Sequence, residues 1–327
     1  MNSLTFNEDR DYSVAAMGEP MAEFSFYGGS RYALSFSGDS INLTTSIARL
    51  GLKPAVISAV GDDHFGKALL ANATGEGIFC GGITVETGGF TGIYFIDVGK
   101  EGEHEFTYFR RGSAASKIRL LPEQEEVIRS SSVFHFSGIT QAISRQSYEE
   151  TLKAVAIAGR SGCLVSYDLN FRQKLWSSKE ARNGLSQIKE YVDIIFVSSE
   201  DHEMLFGKAG ADEALEHYRD LGVENIVYKA GKNGSYGWFS GKRVRQKIYR
   251  VKPVDTTGAG DAFDAGFLAA IIMGRSFGEA MKMGAVNSAL KCTRKGGTRG
   301  LPRYAAVSRI LKGSLQASAN ARSSRTK

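Results

Sequence analysis

From about residue 130 onward the chain alternates short apolar, β-rich runs with amphipathic helical patterns, a rhythm that few architectures accept. SVFHFSG precedes a helical pattern over residues 145–159, CLVSYDLN one over 179–191, DIIFVSS one over 212–221, and NIVYKAG closes the series. A strand that is apolar at successive positions has no face for water, and a helix between two such strands returns the chain so that they pair in parallel. The expected body is therefore a doubly wound α/β domain, a mostly parallel sheet with helices on both faces. The first third departs from this rhythm. Residues 42–50 and 64–74 carry helical patterns around a core-strand run, PAVISAVG, whereas residues 22–36 and 91–109 alternate apolar with polar side chains. Such alternation marks strands with one less-buried face, as in antiparallel ribbons. These stretches predict a small β-layer assembled from about residues 18–38 and 90–112. It is placed as a lid over the C-terminal ends of the parallel strands, where open α/β sheets bind ligands.

No internal repeat or long linker interrupts the chain, so residues 1–312 read as one domain with the lid included. At 42% hydrophobic and 23% charged, the 327 residues have the composition of an ordinary globular protein, which excludes fibrous and disordered classes. The longest nearly uncharged apolar stretch, residues 265–274, is about half of the roughly 20 residues a membrane-spanning helix needs. The opening MNSLTFNEDRDYS has acids where a secretory signal needs a basic region, so a cytoplasmic protein with no membrane partner is expected. Cys80, Cys163 and Cys292 are scattered and read as thiols in a reducing compartment. The histidines show no zinc-binding spacing, and no Gly-x-Ser-x-Gly elbow is present. The 41 Lys and Arg outnumber the 35 Asp and Glu, a net charge of +6 that first points to a polyanion. Six of these charges (Arg303, Arg309, Lys312, Arg322, Arg325 and Lys327) lie in an acid-free C-terminus, leaving 35 against 35 elsewhere. Residues 313–327 thus read as a basic, disordered tail, and no nucleic-acid partner is expected.

The most informative segment is Asp255-Thr256-Thr257-Gly258-Ala259-Gly260-Asp261, which follows a strand-like run over 249–254 and opens an apolar helical pattern. Small residues at 258–260 let backbone N–H groups crowd an anion, and the helix that starts there adds its positive dipole end. This is a phosphate cradle, but neither a Walker A loop nor a dinucleotide fingerprint, because Phe263 stands at the third glycine. Asp261 at its mouth is either a helix cap or a base that takes a proton from an attacking alcohol. Spacing alone leaves both open.

Residues 255–268 resemble the second signature of the PfkB, or ribokinase-like, family of carbohydrate kinases. Ser37-Gly38-Asp39-Ser40-Ile41-Asn42 followed by Ala48-Arg49-Leu50-Gly51 resembles the first, with Ser37 where the family has a glycine. The resemblance spans about residues 12–312 and implies a ribokinase-like fold, ATP as donor, Mg²⁺ and Asp261 as the base. Within the family, the stretches Tyr108-Phe109-Arg110-Arg111-Gly112-Ser113 and Asp168-Leu169-Asn170-Phe171-Arg172 are most similar to 2-keto-3-deoxygluconate kinases. A sugar acid carries a carboxylate, which arginine's planar fork recognises. The resemblance implies that Gly38, Asp39, Asn42, Tyr94, Tyr108, Arg110 and Arg172 contact the sugar, with Gly258, Ala259 and Gly260 at the transferred phosphate. Arg111 reads more readily as an edge charge.

On the nucleotide side the resemblance implies roles for Ser198, Lys229, Gly231, Gly234, Gly258, Gly260 and Asn287, the last near the adenine, with Gly297 in a loop that approaches the nucleotide. The family's magnesium motif aligns with Ser198-Ser199-Glu200-Asp201, and either Glu200 or Asp201 is expected to act through metal-bound water. The implied reaction is ATP-dependent phosphorylation of 2-keto-3-deoxygluconate at C6. A kinase for fructose, ribose or a nucleoside, and a non-catalytic sugar-binding regulator on the same fold, stand as alternatives. Exposed ribbon edges on the lid further predict a homodimer in which two lids pack together.

Overall fold

The computed structural model describes residues 4, 10–98 and 104–323. Among them thirteen strands form two sheets. The strands are β1 (Tyr12–Met17), β2 (Met21–Gly28), β3 (Arg31–Ser37), β4 (Pro54–Gly61), β5 (Ile83–Glu86), β6 (Ile93–Val98), β7 (His104–Phe109), β8 (Ser131–Ser137), β9 (Leu164–Asp168), β10 (Ile194–Ser198), β11 (Asn225–Lys229), β12 (Ser235–Phe239) and β13 (Lys242–Gln246). The helices are α1 (Asp39–Arg49), α2 (His64–Gly75), α3 (Pro122–Arg129), α4 (Gly138–Ala142), α5 (Arg145–Arg160), α6 (Ser178–Ile188), α7 (Ser199–Phe206), α8 (Ala211–Asp220), α9 (Ala259–Ile272), α10 (Phe277–Cys292) and α11 (Tyr304–Ser323).

The large sheet runs β13-β12-β11-β10-β9-β8-β1-β4-β5. It is parallel from β11 to β5, with an antiparallel hairpin, β12 and β13, on one edge. The continuous apolar runs arise because each strand feeds two cores. Along β10, Ile195 and Val197 pack with Phe134, Tyr167 and Tyr218 on one face. Ile194 and Phe196 pack with Phe263, Phe267 and Met281 on the other. Helix α9 is buried at every position from Ala262 to Ile271, which is why its sequence there is apolar on every face except at Asp264. β1 pairs with β8 on one side and β4 on the other, so the chain winds outward in both directions from the β1/β8 seam, a topological switch point.

The small sheet has the order β3-β2-β6-β7 and comes from the two stretches read as a lid. Its two hairpins are antiparallel, as alternation predicts, but the seam between β2 and β6 is parallel, with Ala22 opposite Ile93 and Ser25 opposite Ile96. The two hairpins lie far apart in sequence, so no turn dictates the sense of their joining. Two further expectations change. Residues 249–254 form no strand, and Val251 and Val254 are exposed. Pro253 has no N–H for a ladder, and Arg250 and Lys252 favour solvent. The backbone also stays helical beyond residue 313, where the sequence reading begins a frayed tail, as far as Ser323; residues 324–327 of that tail lie outside the described residues. No helix among the described residues is long and apolar enough to cross a membrane.

Candidate active site

Ser137, Asp168, Ser198 and Lys229 are the last residues of β8, β9, β10 and β11, so parallel pairing lines them along one edge. The N-termini of α1 and α9 meet above that edge. Asn42 Nδ2 donates to Asp261 Oδ2 at 2.7 Å, joining residues 219 positions apart. Ser37 Oγ in turn donates to Asn42 Oδ1 at 3.0 Å, so serine at the family's glycine position supports the amide that holds Asp261. Both turns need glycine. Gly38 has φ 118°, and a Cβ there would lie 2.2 Å from Glu19 O. Gly258 is left-handed at φ 73°, with a built Cβ 3.1 Å from Asn42 Nδ2. No side chain caps α9, so its first-turn N–H groups, among them those of Gly260 and Asp261, stay available to an anion.

Burial pushes the Asp261 carboxyl up to about 6; the Asn42 bond opposes the shift, Asp39 and Asp168 add to it, and Lys229 opposes it. The group is thus ionised near neutrality yet more basic than a free aspartate, which suits a general base. Asp39 is itself held by two donors: Ser40 N at 2.8 Å to Oδ1, and the Ser137 hydroxyl to Oδ2. Burial raises its pKa as well.

On the lid side, the buried Tyr94 donates its hydroxyl to Glu23, whose Oε1 accepts from Ser25 Oγ at 2.8 Å and Ser35 Oγ at 3.0 Å. The Tyr94 ring stacks on Tyr108 at 5.4 Å. Arg110 lies over Tyr108, 5.6 Å from the ring centroid, and forms an ion pair with Glu19. Glu19 is buried and also accepts from Ser113 Oγ at 3.0 Å. Arg110 Nε is buried without a hydrogen-bond partner among the described residues. Arg172 is exposed, with Nη1 donating to Phe171 O at 2.9 Å. Burial raises the Tyr108 phenol, while the charges of Arg172 and Arg110 oppose that. Arg111 is exposed, as its edge reading predicts.

Several nucleotide-side residues are committed to the protein instead. Lys229 Nζ donates to both oxygens of Asp264 at 3.0 Å and to Asp168 Oδ2 at 3.3 Å. Burial lowers its pKa, but those carboxylates outweigh it and keep the ammonium charged. Ser198 Oγ caps α7, accepting from Asp201 N at 3.0 Å. Asp201 Oδ1 accepts from Phe171 N at 3.1 Å, and burial, with the Asp168 charge, lifts its pKa to about 6. Glu200 is exposed. Gly231 and Gly234 bracket the turn from β11 into β12, closed by Ala230 N to Gly234 O. Asn287 requires a correction. It is fully buried, and its Nδ2 donates to Ala262 O at 2.6 Å and Ser46 Oγ at 2.8 Å, so it clamps α10 to α9 and α1 instead of facing a base.

Sequence reading missed Glu19, Glu23 and Asp264, and quoted Asp168 and Asn170 without giving them a role. The available signal was acids inside apolar patterns, as in Gly18-Glu19-Pro20-Met21-Ala22-Glu23, because an acid there has to be paired. Asn170 sits at φ 35°, shaping the turn that presents Arg172.

A family model described as pfkB family carbohydrate kinase matches residues 14–303. The chain belongs to the pfkB family of carbohydrate kinases. As a pfkB kinase it is a sugar phosphotransferase. It is 30% identical over 310 residues to a 2-dehydro-3-deoxygluconokinase of Thermoproteus tenax, covering 92% of this chain and 94% of that one. It is also 30% identical over 319 residues to fructokinase-1 of rice, covering 92% and 98%. Among solved structures, a provisionally named ribokinase II of E. coli in complex with ATP and Mg²⁺ is 25% identical with TM-score 0.83, covering 92% of this chain and 99% of that one.

Proposed function

We propose that this pfkB kinase transfers the γ-phosphoryl group of ATP to the C6 hydroxyl of 2-keto-3-deoxygluconate, giving 2-keto-3-deoxy-6-phosphogluconate and ADP. The observation that carries the sugar-acid reading is the buried, unpartnered Nε of Arg110 beside Tyr108. An unmet buried donor is costly, and an acceptor on the ligand relieves it.

In this reading Asn42 holds Asp261 Oδ2, leaving Oδ1 to take the proton of the attacking hydroxyl. The N–H groups of Gly258 and Gly260 hold charge developing on the transferred group; that of Ala259, expected to join them, instead donates to Thr256 O at 3.0 Å and closes the turn. Gly38, Asp39, Tyr94 and Tyr108 shape the sugar pocket, and Arg172 reaches its mouth. ATP would lie along the cradle toward the turn of Gly231 and Gly234, beside Ser198. No cluster of three metal-ligating side chains exists among the described residues, so the donor set suits Mg²⁺ held largely by phosphate and water. Glu200, which is exposed, is the carboxylate best placed to meet that water; Asp201 is buried and already accepts from Phe171 N. Mg²⁺ supplies charge neutralisation on the phosphates. Cys80, Cys163 and Cys292 are free thiols, in keeping with work in the cytoplasm, and the exposed Tyr27, Tyr32 and Phe109 of the lid support a homodimer through paired lids.

A neutral ketose is the second reading, favoured by Glu19, which already neutralises Arg110. ADP release measured across sugar acids, ketoses and nucleosides tests the choice. A preference for 2-keto-3-deoxygluconate, lost in the double variant Glu19→Gln, Arg110→Met, supports the sugar acid. A preference for fructose that survives in the double variant sinks it.

A further inference from the structure

Lys291, in the last turn of α10, has no exposed surface. A fully buried lysine is rare because an unpaired ammonium cannot be taken from water without compensation. Lys291 Nζ donates to the backbone oxygen of Asp255 at 3.0 Å and lies 3.7 Å from Asp255 Oδ2. Asp255 opens the phosphate cradle. Its Oδ1 accepts from Thr257 N at 2.9 Å and its Oδ2 from Gly296 N at 2.7 Å. The neighbouring Cys292 carbonyl accepts from Val254 N at 2.7 Å and from Asp255 N at 3.2 Å. The end of α10 therefore grips Asp255 from both sides, three residues before the left-handed Gly258. The Gly296 contact ties in the loop that carries Gly297 against Ser37 and Asn42. Burial lowers the Lys291 pKa while Asp255 opposes that, and Asp255 itself stays below the usual carboxylate range.

We propose that Lys291 is a built-in monovalent cation and a positioning residue for phosphoryl transfer: its ammonium fixes the turn from Asp255 to Gly258 that aims the cradle N–H groups, so the enzyme needs no added alkali-metal ion. The role rests on the chain being a kinase but not on which sugar it uses. Lys291 touches neither the sugar nor the phosphates, and acts through the backbone of the turn. A rigid helix carries the charge to two oxygens, a carbonyl and a carboxylate, which are the ligands an alkali ion would take. Removing the side chain leaves an oxygen-lined hole of the size of its ammonium, and K⁺ and NH₄⁺ are close to that size.

The test uses the full chain and its Lys291→Ala and Lys291→Met variants in buffers whose only added cation is choline, K⁺, NH₄⁺ or Li⁺. The wild type is expected to turn over its preferred sugar at one rate in all four. Both variants should lose about 10- to 100-fold in kcat with a smaller change in sugar KM, the size of effect a misplaced cradle produces. K⁺ or NH₄⁺ should restore Lys291→Ala several-fold, whereas Lys291→Met, whose thioether fills the hole, should not respond. Melting temperature gives a readout independent of turnover: K⁺ should raise that of Lys291→Ala and leave the wild type unmoved. Activation of the wild type by K⁺ overturns the proposal by itself, even if neither variant folds. So does a folded Lys291→Ala with full kcat, or one whose loss and melting temperature ignore K⁺. If the wild type phosphorylates no sugar offered, the kinase reading is at fault, and the melting experiment still judges Lys291.

Discussion

Asp261 carries two consequences that can be measured separately. As a base it has to be ionised, so kcat/KM is expected to fall with unit slope below about pH 6, the value to which burial lifts its carboxyl. Its folded pKa lies above that of an unfolded aspartate, so folding favours the protonated form. That stabilisation is complete below about pH 4 and is lost as pH rises through about 6. Asp261→Asn should therefore cut kcat about 1,000-fold while making the protein more stable near neutral pH by about 2 kcal/mol, a gain that disappears in acid melts. A variant that keeps the parent rate removes Asp261 from the base role. Glu19 and Arg110 give a second residue-scale prediction. Truncating Arg110 alone leaves a buried carboxylate unpaired, and chemical denaturation should show a loss of about 3 kcal/mol. The double variant Glu19→Gln, Arg110→Met should regain most of it. Asp261 was legible because its motif is local, while Glu19 was not, since its partner lies more than ninety residues away, just past the end of β7.

At the scale of elements, the site is a meeting of helix ends. The turn before α9 and the start of α1 were readable as motifs, since each needs a glycine where a Cβ would collide or φ is positive. Gly258→Ala should cost about 1–2 kcal/mol in stability for the left-handed backbone and should depress kcat by moving the first turn of α9. Asn287 lies on a helix, and a single amide there does not reveal which face it occupies. Its two donated bonds make it a clamp. Asn287→Ala is accordingly expected to lower stability by about 2 kcal/mol and to leave the KM for ATP unchanged; nucleotide titration beside a melt distinguishes this from a role at the adenine. The β12–β13 hairpin escaped the sequence reading for a different reason: its strands, SYGWF and KRVRQ, are half exposed at a sheet edge and lack the apolar run that marks the central strands.

At the scale of the whole molecule, the lid presents Tyr27, Tyr32 and Phe109 to solvent at 68%, 41% and 55% of their accessible surface. Exposed aromatic side chains on a small sheet favour a partner surface. Sedimentation is expected to show a dimer that Phe109→Asp converts to monomer, and a wild-type monomer at working concentration would remove the paired lids. The parallel body and the lid were legible because a strand's burial is written in its side-chain period, two residues for one buried face and a continuous run for two. The family signatures, the cradle and the candidate base were legible for a related reason: they are fixed by neighbours within a few residues. Only the tertiary structure decided the parallel seam between the two lid hairpins, the pairing of Glu19 with Arg110, the commitment of Lys229 to Asp168 and Asp264, and the burial of Lys291 against Asp255. Each of these is a charge or a backbone edge whose partner comes from a distant segment. The partner is selected by packing, because a buried charge tolerates only the neighbour that neutralises it, and nothing in its local spacing says which neighbour that will be.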